Sequence, residues 1–503
     1  MKKTYNIIRR IAVMVVMVLS LTTVQGQALR TGYFTDGNVL RYRLNPALMS
    51  TRGHVSIPVL GNINLETMGN VGMGNFLYNS TLNSDKLVTF MHPTVNTDEF
   101  LNNLESENKI AMNLDITLLS AAFHAWGGFN SVDLTVRSMA GVSLPYDMLR
   151  FMKVSGNGDY NFSDVNIHTR NFADLSLGHS RKINESLTLG ARVKFLFGLG
   201  YADATFDNMS IKANADRWEI MAKGDADIAL GGAFKHSKDK SVNGKTMIDG
   251  YEDAAAGLHG FGAGVDLGAV YEFKKGALNG LTLSASVNDL GFISWSKSAH
   301  AAISPEAPYI FDGFDNMAIH GSNNTLDDQW EGMRDDLEDF FSLEDKGTRS
   351  VTESIGAKIN VGAEYEMPFY RRLSVGLLYT GCFDGPYTYN QGMLAINISP
   401  LNVLDFAVSG RVGTYGAGFG AMANIHCQGF SFFIGTDCFM NKVGKQFIPL
   451  ENMNANVSFG INIALGKAKD KTKKTVKSTA KPTVSNTEKK TVNGAVKKTE
   501  NKQ

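Results

Sequence analysis

The sequence is short of cysteine and proline and, past its first residues, of long apolar runs. Its three cysteines, Cys382, Cys427 and Cys438, are an odd number with no CxxC and no zinc-type spacing. A disulfide framework and a zinc centre are therefore not expected, and all three read as small apolar strand residues. No apolar stretch reaches the ~18–20 residues that a membrane-crossing helix needs. A chain of this kind enters a membrane only as a closed barrel, because lipid leaves no other way to satisfy backbone groups. Proline is 11 against 51 glycines, with strand-like texture nearly throughout. That favours one large all-β body over several mixed domains.

The formal net charge is zero, but the parts differ. Residues 467–503 carry 12 lysines against Asp470, Glu488 and Glu500, and residues 27–466 are net acidic. An acidic body argues against nucleic acid as a partner. The tail 467–503 lacks hydrophobic periodicity and reads as disordered. At the other end, Lys2, Lys3, Arg9 and Arg10 precede an apolar run over 11–21, and Val24-Gln25-Gly26 offers a cut before Gln27. Residues 1–26 read as a secretory signal peptide.

What is abundant is period-2 alternation. Leu187, Leu189, Ala191, Val193 and Phe195 oppose Thr188, Gly190, Arg192 and Lys194. Two full charges sit in mid-strand on the polar face. Val132, Leu134 and Val136 oppose Asp133, Thr135 and Arg137, and the pattern recurs over 281–288, 361–366 and 457–463. Segments of about ten residues, apolar outward and polar inward, are what a lipid-facing barrel with a polar lumen requires. Strands are predicted at 111–123, 130–143, 164–181, 187–201, 209–223, 225–236, 258–273, 281–294, 352–366, 373–382, 389–398, 403–413, 417–426, 430–440 and 454–465. The segment 54–60 is a candidate further strand. The expectation is an all-β, transmembrane, antiparallel up-and-down barrel of about 14–16 strands.

Connection lengths test this independently. Short connections (182–186, 274–280, 367–372, 399–402 and 427–429) alternate with long ones (144–163, 237–257, 295–351 and 441–453). Outer-membrane barrels have short periplasmic turns and long outer loops. The register puts both chain ends on the periplasmic side, the tail 467–503 included. Residues 27–110 then form an N-terminal luminal segment and a candidate first strand, and 111–466 the barrel. The connection 295–351 reads as a long acidic extracellular loop, with 12 acids and only Arg334 as a base over 301–345. Leu326, Trp330, Met333, Leu337, Phe340 and Phe341 recur at helical spacing behind Thr325 and Asp328, which predicts a helix over 326–342.

Motifs for chemistry are missing. No GxSxG, HExxH, P-loop or EF-hand spacing occurs. The glycine-rich stretches 257–268 and 410–420 open no helix, so they read as wall glycines and not as phosphate cradles. His124, His168, His179 and His426 stand singly. No residue set is assigned a catalytic, cofactor-binding or metal role, no cofactor is expected, and an enzyme is not expected.

Asn45-Pro46-Ala47, ahead of the first strands, resembles the long-chain fatty-acid transporter (FadL-like) superfamily. The start (QALRTGYFTDG, YRLNPAL, VSIPVLGNINL) and the segment LPYDMLRFMK resemble an uncharacterised Bacteroidota outer-membrane barrel family, a domain of unknown function. The resemblance implies a barrel in the cell outer membrane with residues 27–53 tucked into the lumen. It carries over no substrate-binding position.

Two functional readings follow. The first is a transport channel for hydrophobic small molecules, which predicts an apolar pocket inside the barrel and a lateral gap in its wall. The second is a structural or assembly barrel of a secretion or cell-envelope complex, with an envelope protein held by the loop 295–351 or the tail 467–503. Outer-membrane lipid is a partner in both.

Overall fold

The computed structural model describes residues 29–80, 86–154, 156–214, 216–242, 245–255, 257–303, 305, 307–313, 332–333, 335–337, 340–341, 343–439 and 454–466. The alternating segments form strands because one face of each can meet hydrocarbon while the other meets a polar interior. They close into a 14-stranded antiparallel barrel.

The wall starts with β1 (Gly53–Ser56) and β2 (Ile63–Gly69), which together fill one strand position. The hairpin β3 (Leu77–Asn79) and β4 (Leu87–Thr89) belongs to the connection that follows. The wall continues with β5 (Glu107–Ala125) and β6 (Gly128–Pro145), then, after the short β7 (Gly158–Asn161), with β8 (Val165–Lys182) and β9 (Leu187–Ala213). β10 (Trp218–Ala229) turns back along β9, and the hairpin β11 (Ala233–Val242) and β12 (Lys245–Glu252) interrupts the descent before β13 (Gly260–Glu272) resumes it. Ala229 pairs with Tyr201 and Gly260 with Gly198, so β10 and β13 are the upper and lower pieces of one strand position. β14 (Leu281–Ile303) rises beside both, β15 (Tyr309–Phe311) adds to β10, and β16 (Glu344–Ser354) with β17 (Ala357–Glu366) descends. The remaining wall is β18 (Leu373–Phe383), β19 (Tyr389–Leu401), β20 (Leu404–Gly413), β21 (Gly416–Ile425), β22 (Ser431–Thr436) and β23 (Ala455–Leu465).

Strand number falls inside the expected range, but several bounds change, and the connections expected over 237–257 and 295–351 are shortened by β11, β12 and the ends of β14 and β16. The expected strands 187–201, 209–223 and 225–236 are divided differently: β9 runs unbroken through 187–213, β10 spans 218–229, and β11 starts at 233. The alternation alone cannot separate one long strand from two, since nothing in a continuing pleat marks where lipid ends. The candidate strand at 54–60 shortens to β1. Pro58 has no N–H for the ladder, and the chain leaves the wall at that point.

Closure occurs at β1 and β2, which pair with β23 on one side and β5 on the other. Gly53 faces Leu465, so the chain enters the barrel at the rim where β23 ends. The short turns lie at this rim and the long connections at the opposite one. The helix expected over 326–342 lies largely outside the described residues. Within it, Phe341 donates its N–H to the Leu337 carbonyl at 2.9 Å, and Leu337, Phe340 and Phe341 pack against Tyr160, Phe162 and Ile220.

The outer surface carries an apolar belt. Leu189, Val193 and Phe195 of β9, Leu267 of β13, Leu283 and Leu290 of β14, Val408 and Val412 of β20, and Val457 of β23 are all exposed. On the short-turn rim Trp126 and Phe369 are 78% and 79% exposed, as interfacial aromatic anchors are. Among the described residues no helix is long and apolar enough to cross a membrane. The crossing is made by strands.

Candidate functional site

The inward side chains are the mirror of the belt. Asp133, Arg192, Lys194, Asp266, Asn288, Asp289, Lys358, Asn360 and Ser409 are buried although polar or charged. Burial of such groups is tolerable only with partners. The lumen supplies them in three tiers.

The first tier is the chain's own start. Residues 29–52 run inside the barrel with short 3-10 turns at Arg30–Gly32 and Arg41–Arg43. Arg30 and Thr31 donate their N–H groups to the Asp437 carboxylate at 2.9 and 2.6 Å, and the Arg30 guanidinium reaches Glu66 at 2.5 Å. Asn45 is fully buried, and its amide donates to the Ala285 carbonyl at 3.2 Å. Its Oδ1 accepts from the Ala47 N–H at 2.9 Å, which bends the Asn-Pro-Ala turn. The wall makes room for this turn with glycine. A Cβ on Gly268 would lie 2.1 Å from Asn45 Oδ1, and one on Gly190 would lie 2.4 Å from the Pro46 carbonyl carbon. The Leu44 carbonyl accepts from Ser286 Oγ, Asn288 Nδ2 and Asn360 Nδ2 at 2.9, 2.7 and 3.1 Å.

The second tier is ionic. Asp289 accepts from Arg137 at 2.7 Å, Lys194 at 2.5 Å and Lys358 at 2.6 Å. It sits at a bulge where β13 and β14 slip register, with φ at +58°, a conformation Asp tolerates better than most residues. The bulge sets Asp289 beside Asp266, whose carboxylate pairs with Arg192 and Lys194 at 3.1 and 3.0 Å. Asp115 and Asp174 both approach Arg137, at 3.4 and 3.6 Å. A cavity of about 70 Å³ lies among these groups. It is polar and large enough for a few waters.

The third tier, toward the long-loop rim, is aromatic and sulfur-rich. Trp295 stacks on Tyr201 at 5.2 Å and donates its Nε1–H to Glu353 at 2.9 Å. Met68 packs with Cys382, Tyr389 and Tyr415, and Met139 with Tyr387. An apolar concavity of about 830 Å³ is a groove in the outer face, where Gly392 and Gly410 lie between Leu377, Tyr379, Leu394 and Val412.

At the closure of the barrel the wall is interrupted between β1 and β2. Residues 57–62 leave the ladder between β1 and β2, Val59 adopts φ +68°, and Val59 and Leu60 face outward. The gap is bridged: Thr117 N–H donates to the Asn62 carbonyl at 2.9 Å, Ile461 N–H to the Leu60 carbonyl at 2.8 Å, Val59 N–H to the Leu118 carbonyl at 3.3 Å, Ile57 N–H to the Ile461 carbonyl at 3.4 Å, and Ser120 N–H to Ser56 Oγ at 2.7 Å. Nearby, Asn64 Nδ2, Ser431 Oγ, Ser458 Oγ and Asn462 Oδ1 are buried without a partner. Such groups gain hydrogen bonds when water reaches them.

Of the single histidines, His168 pairs with Asp203 and His426 with Asp405, at 3.0 and 2.8 Å, while His179 and His124 bond Asn130 and the Ser50 carbonyl. All three cysteines are free, with Cys427 exposed. Among the described residues no His, Cys, Asp and Glu group is arranged to hold a metal ion. The mid-strand charges Arg192, Lys194, Asp133 and Arg137 were visible in the alternation. Asp115, Asp174, Asp266, Asp289 and Lys358 were not singled out by it, and a bulge has no signature in a period-2 pattern.

Similar solved structures include the toluene transporter TodX of P. putida (10% identity, TM-score 0.37, covering 84% of this chain and 93% of that one). A TodX monoaromatic hydrocarbon channel deltaS2 mutant matches at 11% identity and TM-score 0.41, covering 86% and 95%. A Pseudomonas aeruginosa FadL homologue matches at 12% and 0.37, covering 87% and 96%. Among curated proteins, none matches this sequence. The model of a family of unknown function, DUF5723, matches residues 46–437, and the chain belongs to that family.

Proposed function

We propose that this protein is an outer-membrane channel for small hydrophobic molecules, closed in this state by its own N-terminal segment. The observation that carries the reading is the plug. Residues 29–52 occupy the lumen but join no ladder, and they continue into the wall only at β1. A segment held by side-chain contacts and tethered at one end can leave without unfolding the barrel. The aromatic and methionine tier offers contacts for an apolar solute on the long-loop side. The interruption at 57–62 offers a lateral exit, because it is held by fewer ladder bonds than the wall around it. In this reading residues 1–26 direct export, the short-turn rim, both chain ends and the tail 467–503 are periplasmic, and the long connections face outward.

The test is a tether. Thr31 Oγ1 and Ser409 Oγ are 2.8 Å apart. The pair Thr31→Cys and Ser409→Cys, in a Cys427→Ser background, should bond on oxidation and fix the plug. Purified protein in proteoliposomes should take up a radiolabelled aromatic hydrocarbon when reduced and stop when oxidised. Equal uptake in both states, or none beyond empty liposomes, would sink the proposal.

A second reading has one observation in its favour: residues 29–52 and the inward side chains are largely buried in the lumen. A barrel that passes nothing serves as a structural or assembly partner, with the acidic connection between β14 and β16 or the tail 467–503 as its contact. Pull-downs that recover one envelope protein with the full chain, and lose it when those segments are removed, would decide for it.

A further inference from the structure

The plug and the ionic tier meet at one carboxylate. Asp133 of β6 is 1% exposed. Its Oδ1 accepts from Tyr42 Oη at 2.8 Å and Arg43 Nη2 at 2.7 Å, both on the plug, and from Ser120 Oγ at 2.7 Å. Its Oδ2 accepts from Arg192 Nη2 at 3.0 Å. Arg192 in turn holds Asp266, which shares Lys194 with Asp289. Arg43 and Tyr42 are therefore the plug's direct entry into the network.

Charge sharpens the point. Among the described residues, the wall contributes Arg137, Arg192, Lys194 and Lys358 to this tier, and Asp115, Asp133, Asp174, Asp266 and Asp289. The wall alone is short of one positive charge. Arg43 supplies it from the plug. Resting on the channel reading above, we infer that Asp133 is the latch that holds the N-terminal segment in the lumen, and that Arg43 is the cation that balances the wall's charged tier.

Withdrawing the plug leaves Asp133 with Ser120 and a share of Arg192, in a tier that is then net negative. A buried carboxylate stripped of its partner is strongly unfavourable unless water enters. The latch therefore ties plug release to hydration of the tier. It also gives Arg43 a role that a merely apolar plug would not need.

The experiment reads plug release without any transport. A Thr35→Cys reporter, buried on the plug, is placed in a Cys427→Ser background of the full chain. A membrane-impermeant maleimide then measures its exposure. Asp133→Asn and Arg43→Gln should each raise the labelling rate by about tenfold or more, given what a broken buried ion pair costs. Their combination should label no faster than the quicker single variant, as residues of one latch do. The double variant should also resist heat better than either single, because both charges leave together. Asp384→Asn breaks the partly buried pair with Arg170 and should leave labelling unchanged. A heat-modifiable band on SDS gels shows which variants are folded, and Arg43→Gln carries the test alone if Asp133→Asn fails to fold. Labelling unchanged in Arg43→Gln, additive effects in the double variant, or equal acceleration by Asp384→Asn would overturn the latch. Faster labelling with no hydrocarbon uptake would leave the latch standing and remove the channel reading.

Discussion

One side of the barrel is tall and the other short. On the tall side β9 has 27 residues and β14 has 23. On the short side β20 and β21 have 10 each, and β22 has 6. Yet the outward apolar stretch is similar on both: Leu189 to Phe195 on β9, and Phe406 to Val412 on β20. Hydrocarbon therefore sets the height of the belt, and strand length is free to exceed it. Above the belt, β9 changes character. Asp207 and Asn208 are exposed, while Tyr201 and Ile211 are buried in aromatic clusters with neighbouring strands and connections. The tall side is thus a membrane wall below and a water-exposed sheet with its own packed core above.

The largest effect expected from breaking this picture is in the ionic tier that both sides share. Asp289→Ala leaves Arg137, Lys194 and Lys358 facing one another. It should cost about 3–5 kcal/mol in barrel stability, seen as loss of the heat-modifiable band at lower temperature. Trp295→Ala should cost a similar ~3–5 kcal/mol but only on the tall side, since Trp295 fills the cluster with Tyr201, Ile293 and Ile355. The gel shift is again the readout.

Two substitutions on a single strand then separate the belt from what lies above it. Phe195→Lys puts a charge in the belt and should destabilise by about 2–4 kcal/mol in lipid vesicles. Asn208→Lys, on the same strand above the belt, should change stability by no more than ~0.5 kcal/mol. Equal costs at both positions would mean that the belt continues up β9 and that the tall side is not exposed to water. Among the substitutions expected to weaken the structure, the mildest is Asn45→Ala, which removes the bond to the Ala285 carbonyl and should loosen the plug by about 1 kcal/mol, read as roughly fivefold faster labelling of a plug cysteine.

The alternation at 187–195 and 132–137 was enough to assign strands, because lipid and lumen impose opposite chemistries on adjacent residues. It could not end β9, because a strand rising into water keeps alternating against a new partner. Pro58 was legible as a break only once its place between β23 and β5 was known. The charged residues of the lumen were legible one at a time. Their pairing was not: Asp289 meets Arg137, a partner 152 positions away.

The sequence by itself determined the barrel class, the strand faces and the long–short order of the connections, since these follow from local period and composition. Only the tertiary structure decided that the wall has 14 positions, that the Asn45 turn seats against Gly190 and Gly268, and that Arg43 completes a charged tier. Those depend on bulges, on closure and on which strands face each other across the lumen. These are contacts between distant parts of the chain, and no window along the sequence contains them.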